Sequence, residues 1–145
     1  MFKSILVPTD GSQLSERAAQ TAIEFAKIHG ARMTAVSVIV PLPVVPLTDA
    51  AVLPDAGLYD LKMRRNVEAG LDKIVAAAAA AGVPCDAVLG EAVSPYEVIV
   101  KTAEERHCDI ILMASHGRKG LNKLFLGSET QKVLAHTHLP VLVLR

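Results

Sequence analysis

Short apolar runs alternate along this chain with segments of helical spacing, and no other feature restricts the fold as much. Ser4-Ile5-Leu6-Val7, closed by Pro8, is the first run and reads as a strand buried on both faces. Asp10-Gly11-Ser12 makes a turn with Ser12 placed to cap a helix. Leu14, Ala18, Ala22, Phe25 and Ala26 then recur at helical spacing until Gly30 ends the helix. Ala35 to Val40 is a second strand, followed by a stretch from Pro41 to about Pro54 too rich in proline for regular helix. A long helix begins near Asp60, with Leu61, Leu71, Ile74, Val75 and Ala78 on one face, and runs through the tract Ala76–Ala81 to Gly82. Cys85 to Leu89 is the third strand. Ser94-Pro95-Tyr96-Glu97 opens the next helix as a capping box with proline at its first position, and Val98, Ile99 and Ala103 carry its apolar face. Asp109 to Met113 is the fourth strand. Ser128-Glu129-Thr130-Gln131 offers a second capping box before Val133 and Leu134, and Pro140 leads into a last strand, Val141 to Leu144.

Strict alternation of this kind predicts an α/β fold: a single domain over residues 1–145, with a five-stranded parallel sheet and helices on both faces, in a Rossmann-like arrangement. Ligands in such sheets bind beyond the carboxyl ends of the strands, where the strand order reverses. The residues after each strand therefore matter most: Pro8 to Ser12, Val38 to Pro41, Gly90 to Ser94, and Ala114 to Ser128.

Composition narrows the function classes. Lysine plus arginine equals aspartate plus glutamate at 15 each, so the long-range field that draws in DNA, RNA or an anionic membrane is missing. With no tryptophan and 3% aromatics, a base-stacking platform is not expected. Cys85 and Cys108 form no C-x-x-C pair and read as reduced thiols. The five histidines make no zinc-site spacing, so no intrinsic metal is expected. Met1-Phe2-Lys3 runs directly into a strand without a cleavage pattern, and the run Ala35 to Leu47 is too short and too broken for a membrane helix. The expectation is a cytoplasmic protein without nucleic-acid or membrane partners.

Ala114-Ser115-His116-Gly117-Arg118-Lys119-Gly120 follows the fourth strand and leads to Gly127-Ser128 at a helix start. Glycines let backbone amides approach a ligand, and a helix start adds unpaired N–H groups and a positive dipole end, together a seat for phosphate. The same residues also suit a tight loop and a plain helix cap. Asp10 suits hydrogen bonds to a ribose or an adenine amine, or a turn aspartate bonding its own backbone. No G-x-x-x-x-G-K-[ST] loop and no defensible serine–histidine–acid set occurs, so no catalytic residue is assigned.

Pro8-Thr9-Asp10-Gly11-Ser12, then Met113-Ala114-Ser115-His116-Gly117 with nine residues before Gly127-Ser128, then Leu139-Pro140-Val141-Leu142-Val143, resemble in order and spacing the universal stress protein family, UspA-like, in its ATP-binding subgroup. The resemblance covers the whole chain and implies an adenine nucleotide alpha hydrolase-like fold. It also implies a nucleotide-dependent stress-response or signalling module that binds ATP, with magnesium arriving on the phosphates. On that resemblance Asp10 and the backbone of Val38 hold the adenosine, and Pro8, Thr9 and Met113 line its pocket. Gly117, Gly127, Ser128 and Glu129 hold the phosphates, largely through backbone N–H groups and the Ser128 hydroxyl. Arg118, Lys119 and Lys123 are available for added charge. One residue departs from the pattern: the family's first glycine is Ala114, which is strained if the position needs φ above zero. That departure keeps two other readings in view, a slow ATPase or autophosphorylating enzyme, and a dimeric interaction protein that has lost nucleotide. The resemblance further implies a homodimer through Val141 to Leu144, as an exposed apolar sheet edge would favour.

Overall fold

The computed structural model describes residues 1–42, 56–117 and 125–145. Strands β1 (Ser4–Pro8), β2 (Arg32–Ile39), β3 (Cys85–Glu91), β4 (Ile110–Ala114) and β5 (Val141–Leu144) alternate with helices α1 (Gln13–His29), α2 (Ala56–Ala80), α3 (Pro95–Glu105) and α4 (Ser128–His136). Every strand pairing is parallel, and the order across the sheet is β3-β2-β1-β4-β5. The chain thus starts at the centre, winds outward through β2 and β3, and returns to lay β4 on the other side of β1. The order reverses between β1 and β4, which puts the ligand crevice of this architecture after Pro8 and Ala114.

Successive strand residues point to opposite faces, and the central strands are apolar on both. Ile5, Val7, Met33, Ala35, Ile110 and Leu112 pack on one face against Ala19, Ala22, Ile23 and Ala26 of α1 and Leu71, Ile74 and Ala78 of α2. Leu6, Val36, Ile111 and Met113 pack on the other against Ile99 and Ala103 of α3 and Val133 of α4. The parallel five-stranded sheet covered on two sides is therefore as the alternation predicts.

Several boundaries differ from the sequence expectation. β2 starts at Arg32 instead of Ala35, because Arg32, Met33 and Thr34 stand in register with Ser4, Ile5 and Leu6. Arg32 hides this start with its charge, which the fold satisfies through the Ser4 hydroxyl (3.4 Å) and the Arg106 carbonyl (3.1 Å). β3 extends to Glu91, paired with Ile39. Asp109 stays outside β4, its carboxylate accepting from the Lys3 amide at 2.7 Å. Leu61, expected on the buried face of α2, is 46% exposed. Pro43, Pro46 and Pro54 of the proline-rich stretch, and Arg118, Lys119, Gly120 and Lys123, lie outside the described residues. No helix among the described residues is long and apolar enough to cross a membrane.

Candidate functional site

The loop after β1 is held by its own hydroxyls. The Thr9 amide donates to the Val36 carbonyl at 2.9 Å, and the Ser37 hydroxyl returns a bond to the Thr9 carbonyl at 2.7 Å, so the loop is tied to β2 from both sides. Thr9 Oγ1 lies 3.0 Å from Ser15 Oγ and accepts from the Gly11 amide at 3.2 Å. Gly11 carries φ of 74°, a left-handed turn that glycine adopts without strain. Asp10 is exposed and its Oδ1 accepts from the Ser12 amide at 3.0 Å, while Ser12 Oγ caps α1 by accepting from the Ser15 amide at 3.2 Å. The expected turn and cap are both formed.

The loop after β4 meets it. A Cβ built on Gly117 would stand 2.5 Å from Asp10 Oδ2, so the two loops lie close together and a side chain there would have to displace the Asp10 carboxylate. A Cβ on Gly127 would lie 3.0 Å from the Ser115 carbonyl oxygen and 3.3 Å from His116 Cα. Gly127, with φ of −61°, needs no special backbone freedom; it is small because the chain passes close beside it. Its amide donates to the Ser115 carbonyl at 2.8 Å, which ties the far end of the loop back to its start. Thr130 pins the first turn of α4 to the same point, its hydroxyl reaching the Ala114 and Ser115 carbonyls at 3.1 and 3.2 Å.

Gly127 is the N-cap of α4 and Ser128 is already inside the helix, so the expected capping box at Ser128 does not form. Gln131, its intended partner, donates instead to the Leu126 carbonyl at 2.7 Å. Among the described residues the N-cap makes no side-chain bond to α4, and a helix start leaves its first-turn amides without helical partners. The box at Ser94 fails differently. Ser94 is the N-cap of α3 but makes no side-chain cap bond. The Tyr96 amide is taken at 2.9 Å by the carboxylate of Glu129, which arrives from α4. The other oxygen of Glu129 accepts from Lys132 Nζ at 2.8 Å, and this hydrogen bond with its charge pushes the Lys132 ammonium above its ordinary range.

The expected site residues are distributed as follows. Pro8 ends β1, and Thr9 and Asp10 follow it; Met113 and Ala114 end β4, next to β1. Val38 sits half-buried near the end of β2, on the other side of β1. Gly117 adjoins Asp10, and Gly127, Ser128 and Glu129 open α4. These residues thus lie at the carboxyl ends of β1, β2 and β4 or at the start of α4; the close approaches among them and their neighbours are those of Gly117 to Asp10 and of Gly127 to Ser115 and His116, and Arg118 lies outside the described residues. The Met113 side chain is buried in the core under α3 and α4, so only its backbone is placed to line a pocket. Ala114 has no positive φ; it sits in ordinary strand conformation, paired with Leu144, and its methyl imposes no backbone strain.

His116 is a feature that sequence reasoning passed over. Its Nδ1 lies 2.9 Å from the Ser115 hydroxyl, while Nε2 is buried without a hydrogen-bond partner among the described residues. The ring carbon next to Nε2, Cδ2, is 3.9 Å from where a Gly127 side chain would start. A buried imidazole nitrogen without a partner is uncommon, because such a group loses its bond to water on burial. Only its place in the loop directly after β4, next to Gly117, hinted at this. Among the described residues no cluster of histidine, cysteine or acidic side chains is arranged to hold a metal. Cys85 and Cys108 are both free, and burial pushes both thiols up.

A parallel sheet wound both ways from its central strand, with glycine-bounded loops meeting at the switch point, defines the class of α/β proteins that take a ligand at the carboxyl ends of their strands. The universal stress protein family model matches residues 1–145, and the chain belongs to that family. It is 35% identical to a Thermus aquaticus universal stress protein encoded in the QAH/OAS sulfhydrylase 3′ region, over the whole of both chains. It is 34% identical to universal stress protein MJ0531 of Methanocaldococcus jannaschii, over all of this chain and 83% of the relative. Among solved structures, that of MJ0577 from the same archaeon superposes with a TM-score of 0.78 at 25% identity, covering 99% of this chain and 96% of the other. A universal stress protein from Archaeoglobus fulgidus, solved in complex with dAMP, shares the fold with a TM-score of 0.68 at 18% identity, covering 100% and 98% of the two chains.

Proposed function

We propose that this protein binds ATP, with magnesium carried on the phosphates, at the joined ends of β1 and β4, and acts as a nucleotide-dependent stress-response or signalling module. The observation that carries the reading is the close approach at the two glycines: a side chain on Gly117 would crowd the Asp10 carboxylate, and one on Gly127 would start 3.0 Å from the Ser115 carbonyl and 3.3 Å from His116 Cα. Beside them, α4 starts at a glycine N-cap that offers no side chain, a terminus suited to an anion. The partnerless His116 Nε2 fits a site completed by a polar guest. Asp10 and the Val38 backbone hold the adenosine, against Pro8, Thr9 and the Met113–Ala114 backbone. Gly117, Gly127, Ser128 and the first-turn amide of Glu129 face the phosphates, and Arg118 adds charge there. When bound, ATP supplies a highly charged anion at the start of α4. The dAMP held by the A. fulgidus protein agrees with an adenine nucleotide on this fold. Calorimetry of folded, nucleotide-free protein with magnesium-ATP should show micromolar binding, about −8 kcal/mol. A flat titration overturns the reading. Turnover well above about 1 s⁻¹ would place the protein among ordinary enzymes instead.

The proposed partner is a second copy of the chain, joined through β5. This edge strand, Val141–Leu144, is apolar throughout, and Leu142 is 37% exposed on it. A two-fold axis would lay two such strands antiparallel. Light scattering should report a dimer at tens of micromolar and a folded monomer for Leu142→Pro, which removes a ladder N–H.

A further inference from the structure

An acidic residue in the first turn of a helix normally lies against that helix's own positive end, where its charge is favoured. Glu129 occupies such a position in α4. If its carboxylate lay there, it would compete with any phosphate for the same amides and repel it. Both of its oxygens are instead committed elsewhere, one to the Tyr96 amide in the first turn of α3 at 2.9 Å and the other to Lys132 Nζ at 2.8 Å. Around this carboxylate the contacts continue: the Tyr96 ring packs on the His136 ring with centroids 4.6 Å apart, and Lys132 Nζ lies 5.8 Å from the Tyr96 centroid. The α3 end leaves room for the carboxylate because Ser94 supplies no cap bond of its own.

We infer that Glu129 is a positioning residue: α3 and Lys132 draw its carboxylate away from the start of α4, and that withdrawal keeps the α4 amides open to a phosphate. This rests on the nucleotide site proposed above and assigns the Glu129 side chain a role distinct from phosphate contact. Lys132 is accordingly a tether for Glu129, and its own charge is not the main attraction for phosphate.

The two roles of Lys132 give different double-mutant results. If Lys132 is a tether, Lys132→Met frees the carboxylate to turn onto its own helix end and weakens magnesium-ATP binding about fivefold, the scale of a charge at a helix terminus. Glu129→Gln then restores affinity about fivefold in the Lys132→Met background and changes it less than twofold in the wild-type background. If the two residues act only through their net charges, Glu129→Gln raises affinity by the same factor in both backgrounds, and the inference is overturned. A second measurement needs no nucleotide. By hydrogen exchange, the Tyr96 amide should be protected in the wild type and exchange at least about tenfold faster in Glu129→Ala. Equal exchange in the two proteins overturns the tether whether or not ATP binds. A protected Tyr96 amide in a protein that fails to bind ATP overturns the nucleotide site and leaves the α3–Glu129 contact standing.

Discussion

The starts of α3 and α4 lie at the same end of the sheet and meet the same physical demand, since each leaves first-turn amides without helical partners. The chain answers it differently. At α3 the anion is internal: the Glu129 carboxylate reaches across from the neighbouring helix to the Tyr96 amide. At α4 the N-cap is Gly127, which has no side chain to offer, and none of the described residues caps it. The contrast teaches that the two helix starts are not equivalent candidates for a ligand. The first is closed by the fold, and the second is kept small on one side by Gly127 and clear of its own acid on the other.

The comparison breaks most visibly at Gly127. Gly127→Val puts branched carbon where the Ser115 oxygen is only 3.0 Å from the first side-chain atom. Loss of magnesium-ATP affinity by at least about 100-fold, equivalent to about 2.7 kcal/mol, is expected by calorimetry, with the circular dichroism of a folded α/β protein retained. Full affinity in a folded Gly127→Val variant would mean that the phosphates lie elsewhere. At the closed end, Glu129→Ala removes the acceptor of a partly buried amide and should destabilise the protein by about 1–2 kcal/mol, lowering the thermal midpoint by about 3–8 °C. Ser94→Ala sharpens the contrast by its smallness: because Ser94 makes no cap bond, less than about 0.5 kcal/mol is expected in urea unfolding. A loss near 1 kcal/mol would show Ser94 to be the working cap.

The smallest effect is in pH. The folded state raises the Lys132 ammonium, chiefly through its hydrogen bond to Glu129. The stability from this pair is therefore complete below the ordinary lysine value, about 10.4, and lost as pH rises through the higher folded value. Urea midpoints of wild type and Lys132→Met should differ slightly at pH 8 and converge as pH rises through the raised folded value. The ammonium is exposed, so solvent screening keeps the difference small.

Much of the architecture was legible because its signals are local. The runs at Ser4 and Ile110 announce buried strands, Ser12 announces a cap and Gly30 a helix end, and each depends on neighbours within a few residues. β2 was less legible because Arg32 and Thr34 interrupt its apolar run, and only pairing with Ser4 and Leu6 makes them strand residues. The capping boxes failed for a related reason. The sequence at Ser94 satisfies the local rule, but its side chain makes no cap bond, and a carboxylate from 33 residues away takes the neighbouring Tyr96 amide. In the candidate site, Asp10, Gly117, Gly127 and Ser128 could be named from spacing and resemblance. His116 could not be singled out, because its lack of a partner at Nε2 is a property of its surroundings.

By itself the sequence determined the alternation of strand and helix, hence a parallel sheet with its ligand loops at the carboxyl ends of the strands, because side-chain periodicity and turn chemistry act over short stretches of chain; the strand order that singles out β1 and β4 came from the tertiary structure. Tertiary structure decided how closely other parts of the chain approach the glycines and how Ala114 is tolerated. Gly117 and Gly127 are small because other parts of the chain pass within about a van der Waals contact of them. Ala114 is acceptable because strand pairing with β5 gives it an ordinary backbone. Packing also chose which helix start receives the chain's own carboxylate. No local pattern specifies that choice, because it depends on where α3 and α4 come to rest on the same face of the sheet.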